Sequence, residues 1–158
     1  MFYSHYPLRN DLNHTKIITK TQYNRLKPED KEEHNYLVRH KTNKYFLVLN
    51  EYKTSKKYGA KKIEIHEDVL KQLRRWLRHS NSGYLLITPK GDPMTANGIS
   101  KALARIGRKM RGKPLGTSLL RHSYLSHKYA DVDAEKVKDA HVMGHSLSTQ
   151  ADYVKKDD

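Results

Sequence analysis

Between Ile65 and Val69 the apolar residues change their spacing, and that change restricts what this chain can become. Before it, β-rich runs dominate: a short run at Lys16 to Thr19, then Tyr36 to Arg39 and Tyr45 to Tyr52 around the turn formers Thr42 and Asn43. A further run, Lys62 to His66, alternates Ile63 and Ile65 with charge, which is the period of a pleated strand. After it, Val69, Leu70, Leu73, Trp76 and Leu77 recur at three- and four-residue steps, the period of a helix with one apolar face. Ile99, Leu103 and Ile106 repeat that spacing. Two more helices are expected, one over "SLLRHSYLSHKYA" capped by Thr117 or Ser118, and one over "DAEKVKDAHVMGH" ending near Gly144. The polar stretch 23–34, with Pro28, reads as an exposed loop. Strands first and helices afterwards imply an α+β fold, with a small antiparallel three-stranded sheet near the N-terminus followed by a mainly helical bundle.

A length of 158 residues suits one domain with one core, and 36% hydrophobic against 30% charged residues makes that core modest. The charge is one-sided, with 31 Lys and Arg against 17 Asp and Glu, a net +14. Such an excess favours a polyanionic partner, and nucleic acid is the leading one. The absence of cysteine excludes disulfides, thiolate catalysis and cysteine-based zinc sites. No run of about 18 apolar residues exists to span a membrane, and "MFYSHYPLRND" lacks the apolar core of a secretion signal. An intracellular protein is therefore expected. His141 and His145 stand four apart like zinc ligands, but no glutamate follows His141 and no third ligand is evident. Neither a metal nor a cofactor is expected.

The chemistry concentrates in the last quarter of the chain. A tyrosine hydroxyl, with a pKa near 10, needs help to attack a phosphodiester. Cations must neutralise the non-bridging oxygens, and an acid must protonate the leaving oxygen. Two arginines, a hydrogen-bond donor, a lysine and a tyrosine meet those needs. They occur here in order as Arg9, a lysine near 53, Arg121, His145 and Tyr153. Arg121 falls early in an expected helix, where free backbone N–H groups already favour an anion.

The segments "SLLRHSYLSHKYA", "VMGHS" and "TQADYVKK" together resemble the C-terminal motifs of the tyrosine recombinase (phage integrase) family. "YPLRNDL" resembles the first-arginine motif of virus- and transposon-borne members, and "LNEYKTSKKYGAKKIEI" the hairpin that carries the family's lysine. The resemblance implies a catalytic domain for DNA recombination and integration, needing neither metal nor ATP. It implies that Arg9 and Arg121 clamp the scissile phosphate, that His145 donates a hydrogen bond to it, and that Tyr153 forms a 3′-phosphotyrosyl link. Lys53 would protonate the departing 5′-oxygen, with Lys56 and Lys57 as alternatives in the same turn. Ser118 stands where the family usually has histidine, and the interval from His145 to Tyr153 is one residue short of the family's. With Arg9 so near the start, residues 1–158 are expected to be one catalytic domain without the family's N-terminal DNA-gripping domain.

DNA contacts are expected from Lys56 and Lys57, from Arg74 and Arg75, and from Arg105, Arg108 and Lys109, all of which can meet phosphates without reading sequence. Self-association on DNA follows from the family's habit of assembly. Two other functions fit the same residues: a non-catalytic DNA-binding remnant, and a type IB topoisomerase-like nick-and-reseal activity.

Overall fold

A computed structural model of the chain describes residues 2–41, 44–80, 82–144 and 146–148. Two compact units divide at Arg121, the first Met1–Arg121 and the second His122–Asp158.

The first unit is organised by a sheet. Strands β1 (Lys16–Thr19), β2 (Tyr36–Lys41), β3 (Lys44–Leu49) and β4 (Lys61–Glu64) lie side by side in that order. β2, β3 and β4 pair antiparallel, whereas β1 runs parallel to β2, with Ile17 opposite Leu37. The expected three-stranded antiparallel sheet is therefore a four-stranded mixed one. The expected turn at Thr42 and Asn43 lies outside the described residues.

A parallel neighbour needs a long crossover, and the stretch 23–34 supplies it as structure rather than loop. Helix α2 (Lys20–Arg25) follows β1 directly and α3 (Pro28–Glu32) leads towards β2. Their start signals are local. The Thr19 hydroxyl accepts from the Gln22 backbone N–H at 3.2 Å while the Gln22 side chain accepts from the Thr19 N–H at 2.8 Å, a reciprocal cap. Pro28 opens α3, with Glu29 and Asp30 in its first turn.

Alternation along the strands gives the sheet two apolar faces. Leu37, Leu47, Leu49 and Ile65 point into the main core with Leu12, Leu85 and Ile99. Helix α5 (Glu67–Leu77) closes that core with Val69, Leu70 and Leu73, as its spacing requires. Tyr36, Val38 and Val48 form a smaller cluster on the other face, packed with Ile18, Tyr23, Leu26 and Phe46. Trp76, expected in the core, is 37% exposed and instead donates its indole N–H to the Leu85 carbonyl at 2.8 Å. Before the sheet stands α1 (Phe2–His5), and between β3 and β4 the one-turn α4 (Ser55–Tyr58).

Helix α6 (Ala96–Arg111) starts at the Thr95 cap and ends at Gly112, whose φ of 71° is the left-handed conformation a helix stop favours. Buried Gly107 lets the next segment pass closely. A Cβ there would stand 2.4 Å from the Leu115 nitrogen and 2.7 Å from the Lys113 carbonyl oxygen. Helix α7 (Thr117–Met143) then runs through the division between the units. Thr117, one of the two expected cap residues, is already its first residue, because the Gly116 carbonyl accepts from the Leu120 N–H at 3.1 Å. Two helices were expected over this range. No glycine or proline lies between Thr117 and Met143, so nothing in the backbone chemistry stops the first.

In the second unit, Ala140 is buried and the rest of α7 is largely exposed, including Leu125, Tyr129, Val132 and Val137. Gly144, at a φ of 70°, ends the helix as expected, its N–H donating to the His141 carbonyl at 3.2 Å.

Candidate functional site

Three segments distant in sequence converge within the first unit. Arg9 stands between Leu8 and Leu12, both buried, on a turn where its N–H donates to the Asp11 carboxylate at 3.0 Å. The apolar neighbours anchor the turn and leave the arginine side chain exposed. Lys53 follows β3 in the turn Tyr52–Ser55, closed by the Ser55 N–H on the Tyr52 carbonyl at 3.0 Å. The Tyr52 hydroxyl donates across the same loop to the Gly59 carbonyl at 2.8 Å. Ser118 and Arg121 belong to the first two turns of α7. Arg121 is half-buried, its Nε donating to the Thr117 carbonyl at 3.4 Å and its Nη2 to the Ser118 hydroxyl at 3.1 Å.

Buried Asn35 joins the first two segments. Its amide Nδ2 donates to the Asp11 and Glu51 carbonyls, both at 2.8 Å. Its Oδ1 accepts from the Asn50 and Glu51 backbone N–H groups, again both at 2.8 Å. One side chain thus fixes the Arg9 turn to the loop that leads into Lys53. No periodicity or motif marks this asparagine in the sequence; what singles it out is its position at the entrance to β2.

Arg9, Lys53, Ser118 and Arg121 line one cavity of about 590 Å³, with Asp11 and Glu51 as its acidic members. A second cavity of about 270 Å³ shares Arg9, Lys53 and Arg121 and adds Lys61, a cation that sequence reasoning left out. The first turn of α7 contributes backbone N–H groups without partners inside the helix. Three cations beside such a turn make a cradle for an anion with several oxygens. Close by, the Tyr3 hydroxyl is buried without a partner, and burial followed by the Asp11 carboxylate pushes its pKa far above the ordinary tyrosine value. It stays protonated at any physiological pH.

The other expected site residues fall elsewhere. Lys56 and Lys57 stand exposed on α4 and line neither cavity, so of the three lysines only Lys53 joins the arginines. Arg74 and Arg75 lie on α5, and Arg105, Arg108 and Lys109 stand exposed along α6. His145 and Tyr153 lie outside the described residues. On the sheet's opposite face, Lys20 meets His40 at 2.8 Å, and Lys44 and Lys62 stand over the Phe46 ring. Desolvation, then the charges of Lys20, Lys41, Lys44 and Lys62, hold His40 below its usual pKa. None of the described helices is long and apolar enough to cross a membrane.

No family model and no curated protein matches the sequence. Among solved structures, the chain is similar to a XerH site-specific recombinase, determined bound to a palindromic difH substrate as a post-cleavage complex. The two are 20% identical, with a TM-score of 0.42 over 75% of this chain. The chain spans about a third of that recombinase, 35% of its length.

Proposed function

We propose that this chain is a tyrosine recombinase-type catalytic domain, of the kind carried by viruses and mobile elements, that cleaves and rejoins DNA strands through Tyr153. The observation that carries the reading is the meeting of Arg9, Lys53, Ser118 and Arg121, drawn from three separate stretches, around one cavity. The order in which the sequence presents Arg9, Lys53, Arg121, His145 and Tyr153 supports it.

In this reaction Arg9 and Arg121 neutralise the non-bridging oxygens of the scissile phosphate, and Ser118 orients the Arg121 guanidinium. The Tyr153 oxygen attacks phosphorus and passes its proton to solvent water, forming a 3′-phosphotyrosyl bond as the bond to the 5′-oxygen breaks. Lys53 gives the departing oxygen a proton, and His145 donates a hydrogen bond to the phosphate as charge builds on it. The new ester keeps the energy of the old one, so a 5′-hydroxyl can reverse the step on the same strand or a new one. Lys56, Lys57, Arg74, Arg75, Arg105, Arg108 and Lys109 serve as phosphate contacts along the duplex. The site of action is intracellular DNA.

The reaction requires Tyr153 to reach the phosphate, either from its own chain or from a second copy assembled on the DNA. Duplexes nicked beside the target strand, incubated at low salt and run on denaturing gels, test both points. A covalent protein–DNA adduct is expected, absent in Tyr153→Phe and slowed by about 10²–10³-fold in Arg121→Ala. An adduct restored on mixing those two variants assigns the tyrosine to the second copy. An adduct that survives Tyr153→Phe overturns the reading. DNA binding with no adduct identifies a non-catalytic DNA-binding protein, and plasmid relaxation without pairing of sites identifies a topoisomerase-like activity.

A further inference from the structure

Away from the cavity that holds Arg121, His5, His66 and Asp68 bring one ligand atom each to within 4.8 Å of one another. They are the one such trio among the described residues. The His5 Nε2 lies 3.9 Å from an Asp68 carboxylate oxygen, and the His66 Nδ1 lies 3.5 Å from that same oxygen. The two imidazole rings face each other, centroids 5.2 Å apart and 34° from parallel.

The arrangement is held from outside. His5 ends α1, whereas His66 caps α5 and Asp68 sits in its first turn. Between the two elements the Tyr6 hydroxyl donates to the Glu64 carbonyl at 3.1 Å and accepts from the His66 N–H at 2.7 Å. That bridge fixes the residue next to His5 against the residue that is itself a ligand candidate. On the far side of the His5 ring, Nδ1 lies 3.0 Å from the Ser4 hydroxyl. In the tautomer whose Nδ1–H donates to that hydroxyl, Nε2 carries the lone pair a metal needs, the support that metal-bound histidines usually have.

The geometry points to a binding site for a divalent transition metal ion, with zinc as the type case. Two neutral imidazoles and one carboxylate suit zinc, nickel, copper or iron rather than magnesium or calcium, which prefer all-oxygen sets. Metal–ligand bonds of about 2.0–2.1 Å place tetrahedral donors roughly 3.3 Å apart, and the two gaps to the Asp68 oxygen, 3.9 and 3.5 Å, stand close to that spacing. Two interactions yield to the metal. The His66 Nδ1 now accepts a long 3.3 Å bond from the Asp68 N–H, and Lys71 approaches the other Asp68 oxygen at 3.6 Å. With His66 59% and Asp68 61% exposed at their side chains, solvent completes the coordination. Bound metal would staple α1 to the start of α5, just upstream of the Arg9 turn.

The test uses the full chain, stripped with a chelator and titrated with Zn²⁺ by calorimetry, with Co²⁺ as a visible reporter of coordination. The variants are His5→Gln, Asp68→Asn and His66→Asn, the last because asparagine still caps a helix. One equivalent of Zn²⁺ is expected to bind and to raise Tm, with affinity falling at least about tenfold in each variant. No saturable one-equivalent binding overturns the site. So does unchanged affinity in all three variants, since the chain has ten histidines and another would then be the ligand.

Discussion

Asn35 shows how one side chain can organise a site without touching its chemistry. Its four side-chain hydrogen bonds all reach backbone groups of the segments that carry Arg9 and Lys53. Alanine at this position leaves two carbonyls and two N–H groups without their partner in a place where the side chain is 2% exposed. With each buried polar group left unpaired costing about 1–3 kcal/mol and some relief from water entry, Asn35→Ala is expected to destabilise by about 2–4 kcal/mol. Differential scanning calorimetry should show a Tm lower by about 5–15 °C. A change within a degree would mean that the two loops hold themselves. Nothing in the sequence distinguishes this asparagine from the other asparagines of the chain, because its role depends on non-local partners. Arg121 is the opposite case. Its neighbours "LLRHS" and its place near a helix start made it stand out, and its two hydrogen bonds are both local, to Thr117 and Ser118.

At the scale of elements, legibility followed the same division between local and distant causes. Strands β2 to β4 and helices α5 and α6 were readable because each buries one face, and one-sided burial imprints a period on the sequence. The parallel pairing of β1 left no such mark, since orientation is decided by the crossover and not by the strand. Helices α2 and α3 carry few apolar residues, so periodicity passed over them. The Thr19 cap and Pro28 at the first helical position are the available signal. Gly107 marks where α6 meets the segment leading to α7 and Arg121. Alanine favours a helix by about 1 kcal/mol over glycine, yet here its methyl would overlap backbone atoms of Lys113 and Leu115. Steric crowding wins, and Gly107→Ala is expected to lose about 1–3 kcal/mol. Urea unfolding should show an earlier midpoint with an unchanged slope; a later midpoint would mean that the connection yields freely.

Over the whole molecule, Lys and Arg outnumber Asp and Glu by 31 to 17. A net +14 for the chain, with exposed cations on α4, α5 and α6, predicts DNA affinity that falls steeply with salt. Replacing Arg105, Arg108 and Lys109 together by alanine should lower the slope of log affinity against log salt by about 3, roughly one unit for each phosphate contact removed. Competition binding across a range of salt concentrations measures it directly. An unchanged slope would take α6 out of the DNA interface. Composition discloses this charge at once, since net charge needs no fold to be counted; which cations gather around one cavity depends on the sheet and its loops.

The short strand β4 draws a different consequence from the same lysines. It is the free margin of the sheet, four residues long, and both Lys61 and Lys62 are exposed on it. An open margin offers unpaired backbone groups to any passing strand, and brevity and charge are what discourage such pairing. Lys61 lies over the Tyr52 ring at 4.5 Å and Lys62 over Phe46 at 4.2 Å, so the two ammonium groups are kept at the margin instead of drifting away from it. The two cations therefore keep one molecule's sheet from growing into the next, and the protein's colloidal behaviour is tied to Lys61 and Lys62.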